Sequence, residues 1–361
     1  PTAITQIAGR QIAAEKIPSW REMEEIWYPK HLSLEQCSSE ITARYKARLS
    51  QGDSLTDLTG GFGIDCSFLA TGFKSATYVE RQEELCEIAA HNFPILNLNH
   101  INVRNEDGVA YLQTMSPVDC IFLDPARRNE HGGKTVSIAD CEPNVAELED
   151  LLLSKASRIM IKLSPMLDLS LALKELKHTQ EVHILSVNNE CKELLILLGQ
   201  TSPAEITIHC VNLFTKGTQE EQHFVFTREQ EQRSQCTYTD SLGDYLYEPN
   251  ASLLKAGAFR SIAAAYPVRK LHPNSHLYTS DTFIENFPGR IFRIVNQCSF
   301  NKKEVKENLA DLKKANVTVR NFPATVAELR KRIHLAEGGD TYLFASTLNN
   351  GQKVIIRCEK V

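Results

Sequence analysis

The sequence has no Cys-x-x-Cys pair, no apolar run of membrane-spanning length, no Gly-x-Gly-x-x-Gly, and no Gly-Lys-Ser/Thr following its glycine turn at Gly60–Gly63. Each gap removes a class of protein. Ten cysteines are scattered from Cys37 to Cys358 without paired spacing, so no zinc or iron–sulfur site is expected, and no other metal centre. Several lie within apolar runs, such as Cys120 in Asp119-Cys120-Ile121-Phe122, and read as reduced core thiols of a cytoplasmic protein. A transmembrane helix needs about 18 apolar residues in a row, and none exists. The mixed, polar N-terminus is unlike a signal peptide, and the chain starts at Pro1, not Met, as a trimmed or processed start would. No internal repeat or low-complexity tract is present.

What is there is an ordinary globular composition, 42% hydrophobic and 24% charged over 361 residues, enough for two or three domains. The net charge of −5 is unevenly spread: Arg290–Val361 holds 14 Lys/Arg against 7 Asp/Glu, hence +7, which leaves −12 on the remainder. A basic tail on an acidic body fits either an acidic partner, nucleic acid first, or a solvated lysine-rich helix face.

Residues 1–52 read as a helical segment. Ser33 and Gln36 form a capping-box pattern ahead of a helix over 34–49. The polar run Glu35–Glu40 is either a solvated face or abuts a ligand. From about residue 53, short apolar runs alternate with helical ones. Strands are predicted at Ser54–Leu58, Ala76–Glu80, Ile101–Arg104, Asp119–Leu123, Arg158–Leu163 and Glu181–Val187. Helices are predicted at Arg81–His91, Val145–Lys155 and Leu169–Lys177. The alternation predicts an α/β fold with a mostly parallel sheet and helices on both faces. Glu205–Leu213 and Gln222–Thr227 suit an antiparallel edge, and Thr227–Asp240 a linker. A small α/β module follows. Residues 290–361 then read as strand, helix, strand, helix, strand, strand, with the first helix over Lys302–Lys314.

The chemistry gathers at the ends of the strands. Asp57-Leu58-Thr59-Gly60-Gly61-Phe62-Gly63 joins a strand to a helix, and Gly60, Gly61 and Gly63 let the backbone approach a ligand. Asp57 can accept from a ligand ammonium. Thr59 and Phe62 stand where a dinucleotide turn needs small residues, which excludes that ligand, and no Gly-Lys-Ser/Thr follows the turn, which excludes a P-loop. Glu80 ends the next strand, about twenty residues on, where an acid either binds ribose hydroxyls or caps a helix. Asp107 either accepts from an adenine amino group or caps the helix Gly108–Gln113. Asp124-Pro125-Ala126-Arg127-Arg128 follows a buried strand. Asp124 can accept from an amino nucleophile, and Pro125 fixes the turn. Arg127 and Arg128 either grip phosphate or pair with a nearby helix, and Lys162, one strand further, either contacts phosphate or is structural. No cysteine stands at these edges, which weighs against a thiolate nucleophile.

Glycine turn and acids in this order, over residues 53–190, resemble the class I S-adenosylmethionine methyltransferases. The turn Asp57–Asp65 with Cys66–Ala70 looks like the ribosomal RNA guanine-N2 enzymes, and Asp124-Pro125 like their Asp/Asn-Pro-Pro-aromatic motif, with Ala126 for the second proline and Arg127 for the aromatic. The whole chain resembles a bacterial family in which a ferredoxin-like module and a THUMP-like domain follow the methyltransferase domain; Tyr247–Ser252, Leu271–Tyr278 and Ala336–Leu343 carry that likeness. It implies a Rossmann-like domain over 53–230, a ferredoxin-like module over 231–287 and a THUMP-like domain over 288–361. It implies S-adenosylmethionine as cofactor, held by Asp57, Thr59, Gly60, Gly61, Gly63, Glu80, Asp107 and Asp124, with Asp124 and Pro125 aligning the acceptor. THUMP-like domains imply RNA, with Lys302, Lys303, Lys306, Lys313 and Lys314 first and Arg330, Lys331 and Arg332 next as phosphate contacts. A small-molecule or protein acceptor, and an RNA-binding adaptor without turnover, are the rival expectations. The oligomeric state has no signature in the sequence.

Overall fold

A computed structural model describes residues 3–127 and 137–361. The chain forms two compact units. The first holds residues up to Ile208 with Leu213–Glu220, and the second holds His209–Asn212 with Glu221–Val361. Among the described residues no helix is long and apolar enough to cross a membrane.

The first unit opens with helices α1 (Ala3–Lys16), α2 (Pro18–Arg21), α3 (His31–Gln36) and α4 (Glu40–Ala47). The single helix expected over 34–49 is broken at Cys37-Ser38-Ser39, and Lys30, not Ser33, precedes α3. The break has a cause: Ser38 is buried and donates to Asp65 Oδ2 at 2.7 Å, a contact that a continuous helix could not make. Trp20, Ile26, Tyr28 and Leu34 bury against Phe62 and Ile64, seating these helices on the glycine turn.

The sheet strands of this unit are β1 (Gly52–Asp57), β2 (Phe73–Glu80), β3 (Ile101–Asn105), β4 (Val118–Leu123), β7 (Ala156–Leu163), β8 (Thr179–Val187) and β9 (Glu190–Gly199); β5 (Ala126–Arg127) and β6 (Cys141–Glu142) form a separate short ladder. Their order is β8-β9-β7-β4-β1-β2-β3. The five strands from β7 to β3 pair in parallel. β9 inserts antiparallel between β7 and β8. No strand is expected from the sequence at β9. Its run Glu193-Leu194-Leu195-Ile196-Leu197-Leu198 is buried throughout, so no alternation marks it as a strand. The chain steps outward from β1 to β3, then returns to place β4 on the other side of β1. A crevice opens where the direction reverses, at the C-terminal ends of β1 and β4.

Strands β10 (Thr207–Leu213) and β11 (Glu221–Thr227) carry the chain onward. The supposed linker 227–240 contains a helix, Arg228–Arg233, with a capping box between Thr227 and Gln230. Glu231 of that helix accepts the N–H groups of Phe259, Arg260 and Ser261, closing the start of a second helix. The second unit's sheet has seven strands. Its longest, Ala336–Thr347 and Gly289–Ser299, flank Lys353–Lys360. The helix expected over 302–314 ends at Leu309, because Lys314 begins a strand parallel to Ala336–Thr347.

Candidate functional site

The glycine turn is pinned from both sides. Leu58 N–H donates to Phe122 O at 3.0 Å and Gly60 N–H to Val79 O at 2.9 Å, so β4 and β2 fix its path. Gly60 lies against the Tyr78 ring: a Cβ there would sit 2.2 Å from a ring carbon. Gly61 and Gly63 have φ of +54° and +84°, the left-handed region that side chains disfavour. Phe62, between them, is buried with its ring edge-on to Trp20, ring centroids 5.2 Å apart. The residue that rules out a dinucleotide turn thus anchors the N-terminal helices.

Three acids meet this turn. Asp57 is 1% exposed; its Oδ1 accepts from Thr59 N at 2.9 Å, while Oδ2 is buried without a partner. Burial pushes this carboxyl well above the usual carboxylate range, with Asp65, Asp124 and Glu80 adding to the rise. Glu80 accepts from Gly61 N through Oε2 and from Gln82 N through Oε1, both at 2.9 Å. It holds the turn, and each oxygen keeps a second lone pair for a ligand hydroxyl. Asp107 is the cap of the helix Gly108–Thr114: Oδ1 accepts from Val109 and Ala110, and both Asp107 and Gly108 line the crevice. The capping alternative is therefore realised, with Oδ2 still free of partners among the described residues. Thr59 Oγ1 accepts from Asp124 N at 2.6 Å, tying the turn to the opposite wall.

On that wall, Lys162 does not reach toward a phosphate. Its ammonium is buried 2.6 Å from Asp124 Oδ2, 3.3 Å from Asp65 Oδ2 and 3.0 Å from Ser38 Oγ. Burial would lower its pKa, but Asp124, Asp65 and Glu193 outweigh that and raise it well above the lysine range. Lys46, 0% exposed, bonds Glu193 at 2.5 Å, Asp65 Oδ1 at 2.9 Å and Ser38 Oγ at 2.9 Å. Burial alone would raise Asp65; Lys46 and Lys162 overcome it and hold this carboxyl below the usual range. Asp124, 38% exposed at the crevice floor, is raised by desolvation and only partly drawn back by Lys162. Pro125 is buried at the turn that follows. Arg128 lies outside the described residues, and of Arg127 only the backbone strand is described.

Ser38, Lys46, Asp65 and Glu193 were absent from the expected site. The polar run Glu35–Glu40 was the signal for Ser38: Gln36, Cys37 and Ser38 line the crevice, while Glu35 is exposed. A lone acid before an apolar run, Glu193, and a lysine on the inner face of a helix carry no comparable mark.

The crevice measures about 650 Å³, the size of a cofactor site. Among the described residues, Asp57, Asp65, Glu80, Asp107, Asp124 and Glu142 line it against only Arg81 and Lys162. Such a site repels a diphosphate and suits a ligand with cationic groups. An ammonium fits the orphaned Asp57 Oδ2, and a ribose fits the spare lone pairs of Glu80.

A parallel sheet reversing beside a glycine turn, with acids at the ends of successive strands, defines a Rossmann-like fold of the class I methyltransferases. Residues 245–288 match a ferredoxin-like domain model, and residues 289–360 a THUMP domain-like model. The crystal structure of a candidate methyltransferase from Porphyromonas gingivalis W83 is 38% identical, with a TM-score of 0.90 over 99% of this chain and 89% of that one. An rRNA methylase from Streptococcus thermophilus is 13% identical, TM-score 0.33, over 44% of this chain and 94% of its own. A methyltransferase from Streptococcus mutans in complex with SAH is 13% identical, TM-score 0.32, over 44% and 96%. No curated protein sequence matches the chain. The chain belongs to the family of the P. gingivalis protein, class I S-adenosylmethionine-dependent methyltransferases with a ferredoxin-like module and a C-terminal THUMP-like domain.

Proposed function

We propose that this protein is a cytoplasmic RNA methyltransferase that uses S-adenosylmethionine to modify a base of tRNA or rRNA. The observation that carries the cofactor half is Asp57 Oδ2, buried at the glycine turn and without a partner, in a crevice lined by acids. A buried carboxylate oxygen left unpaired is costly, and the α-amino group of the cofactor satisfies it. Thr59, Gly60, Gly61 and Gly63 give the close backbone approach, Glu80 the ribose contact, and Asp107 the contact to the adenine amino group. When bound, the cofactor supplies a methyl group on an electrophilic sulfonium. The protein's own task is alignment: Asp124 accepts a hydrogen bond from the acceptor N–H, and Pro125 holds the turn that aims it. Arg127 and Arg128 contact the substrate backbone, and the lysines of the THUMP-like domain bind RNA phosphate. The domain limits that go with this reading are 1–52, 53–230, 231–287 and 288–361.

Incubation with labelled S-adenosylmethionine and RNA from cells lacking the gene tests the reading. Label in RNA that disappears with Asp124→Ala supports it. Bound RNA without label makes the protein an adaptor, and label confined to protein or small molecules moves the acceptor to another class.

A further inference from the structure

We propose that the N-terminal helical segment is part of the catalytic unit, in which Lys162, held by Ser38 and Asp65, sets the orientation and charge of the Asp124 carboxylate. This rests on the methyltransferase reading above and deepens it. Lys162 and Asp124 are thereby a positioning residue and the acceptor-facing group it serves.

The chain of contacts is continuous. Thr42 Oγ1 donates to Glu193 Oε1 at 2.7 Å, Glu193 Oε2 meets Lys46, Lys46 meets Asp65, Asp65 meets Lys162, and Lys162 meets Asp124. Ser38 Oγ sits at the junction, within 3.0 Å of both ammonium groups and 2.7 Å from Asp65. Ser38, Thr42 and Lys46 come from the N-terminal segment, and the remaining members from the sheet and α5 (Ile64–Leu69).

Two physical points argue against mere glue. Buried ion pairs seldom stabilise a fold more than apolar packing would, because desolvation offsets the attraction. The ion-paired charges are also unequal: among the described residues, Asp65, Glu193 and Asp124 are ion-paired with only Lys46 and Lys162. One negative charge is left over. Asp124 is the only member exposed to the crevice by more than a tenth of its side chain. The excess is therefore presented where an amino acceptor becomes cationic as it takes the methyl group. When the C–S bond breaks and the N–C bond forms, the acceptor nitrogen carries the positive charge. Its proton then leaves to water, and Lys162 draws the Asp124 carboxyl part of the way back from the rise that burial gives it. Catalysis through such fixed charges needs no reorganisation at the moment of reaction.

The groups facing Asp124 among the described residues are Lys162 on β7, Asp65 on α5, Lys46 on α4 and Asp57 on β1. The test reads the Asp124 carboxyl directly, by ¹³C NMR titration of protein labelled in aspartate, with the signal assigned through Asp124→Asn. Loss of the Lys162 cation in Lys162→Met raises the Asp124 midpoint by about 1 to 3 pH units. Ser38→Ala, which removes no charge, moves it the same way by less. In the labelling assay both variants lower the rate at saturating cofactor at least tenfold, shift its acid limb upward, and leave S-adenosylmethionine affinity within about threefold, on the scale of one to two lost hydrogen bonds. An unmoved midpoint in folded Ser38→Ala and Lys162→Met overturns the proposal; if Lys162→Met does not fold, Ser38→Ala decides it alone. Wild-type protein that binds no cofactor would sink the functional reading instead, and the titration would still report on the network.

Discussion

At the wall of the crevice and behind it, Lys46, Lys162, Asp65 and Glu193 are buried, and each charge meets another within 3.3 Å. In the THUMP-like domain, Lys302, Lys303, Lys306, Lys313, Lys314, Lys331 and Arg332 are exposed. The first set is balanced in charge until Asp124 adds one negative, and its geometry is fixed; the second is net positive and diffuse. Desolvated charges act at fixed positions and resist salt, while exposed ones act collectively and are screened. The difference matches a division of labour between aligning a reaction and holding a polyanion.

The sharpest way to break that contrast is to delete one charge from each set. Lys46→Met leaves Glu193 with only the Thr42 hydroxyl and Asp65 with only Lys162 and Ser38. Stability should fall by about 3–5 kcal/mol, the cost of an uncompensated buried charge. Lys303→Met, on an exposed helix face, should leave the unfolding curve where it is. Urea denaturation of the two variants measures this, and equal curves would erase the distinction.

The same contrast explains what could be read from the chain beforehand. Gly60, Gly61 and Gly63 are legible because close approach and positive φ demand glycine, and Glu80, Asp107 and Asp124 because each follows a short apolar run. The parallel order followed from the alternation of strand and helix. β9 was not legible, since a strand buried on both faces has no alternation. Lys162 was visible as a residue, but not its partner: Asp65 lies 97 positions away and Ser38 124, and no periodicity reports contacts of that range. The capping box at Ser33 failed for the same reason, because a tertiary hydrogen bond at Ser38 outweighed local helix preference.

Within the crevice, Asp57→Asn keeps the size of the side chain and removes its charge. Cofactor affinity should drop about 10- to 100-fold, the worth of a charge-assisted hydrogen bond. Calorimetric titration with S-adenosylmethionine measures it, and an unchanged affinity would take Asp57 out of the site. The exposed set predicts a different observable. Lys302, Lys303 and Lys306 changed together to glutamate should weaken RNA binding and lower the slope of log affinity against log salt by about 2. Cofactor affinity in that variant should stay as in wild type. A slope that does not change would leave the basic face without a role in RNA binding.

The smallest expected effect is the pH dependence of cofactor binding, and its sign follows from Asp57. Its carboxyl is raised above the ordinary value of about 3.9 by burial first, then by neighbouring acids. Below its folded pKa the free protein holds a proton there, and an ammonium ligand must displace it. Its effect on folding stability runs the opposite way: a raised carboxyl favours the fold below the unfolded pKa, and that advantage is lost as pH rises through the folded pKa. Affinity should climb by up to about tenfold per pH unit below the folded pKa and level off above it. Asp65 adds nothing in this window, since Lys46 and Lys162 keep it ionised until well below the ordinary range. Asp124 is raised too, so Asp124→Asn serves as the control that retains the slope. Titrations in buffers of different ionisation enthalpy should show a proton released on binding to wild type and none to Asp57→Asn; equal proton release would assign the linkage to another group.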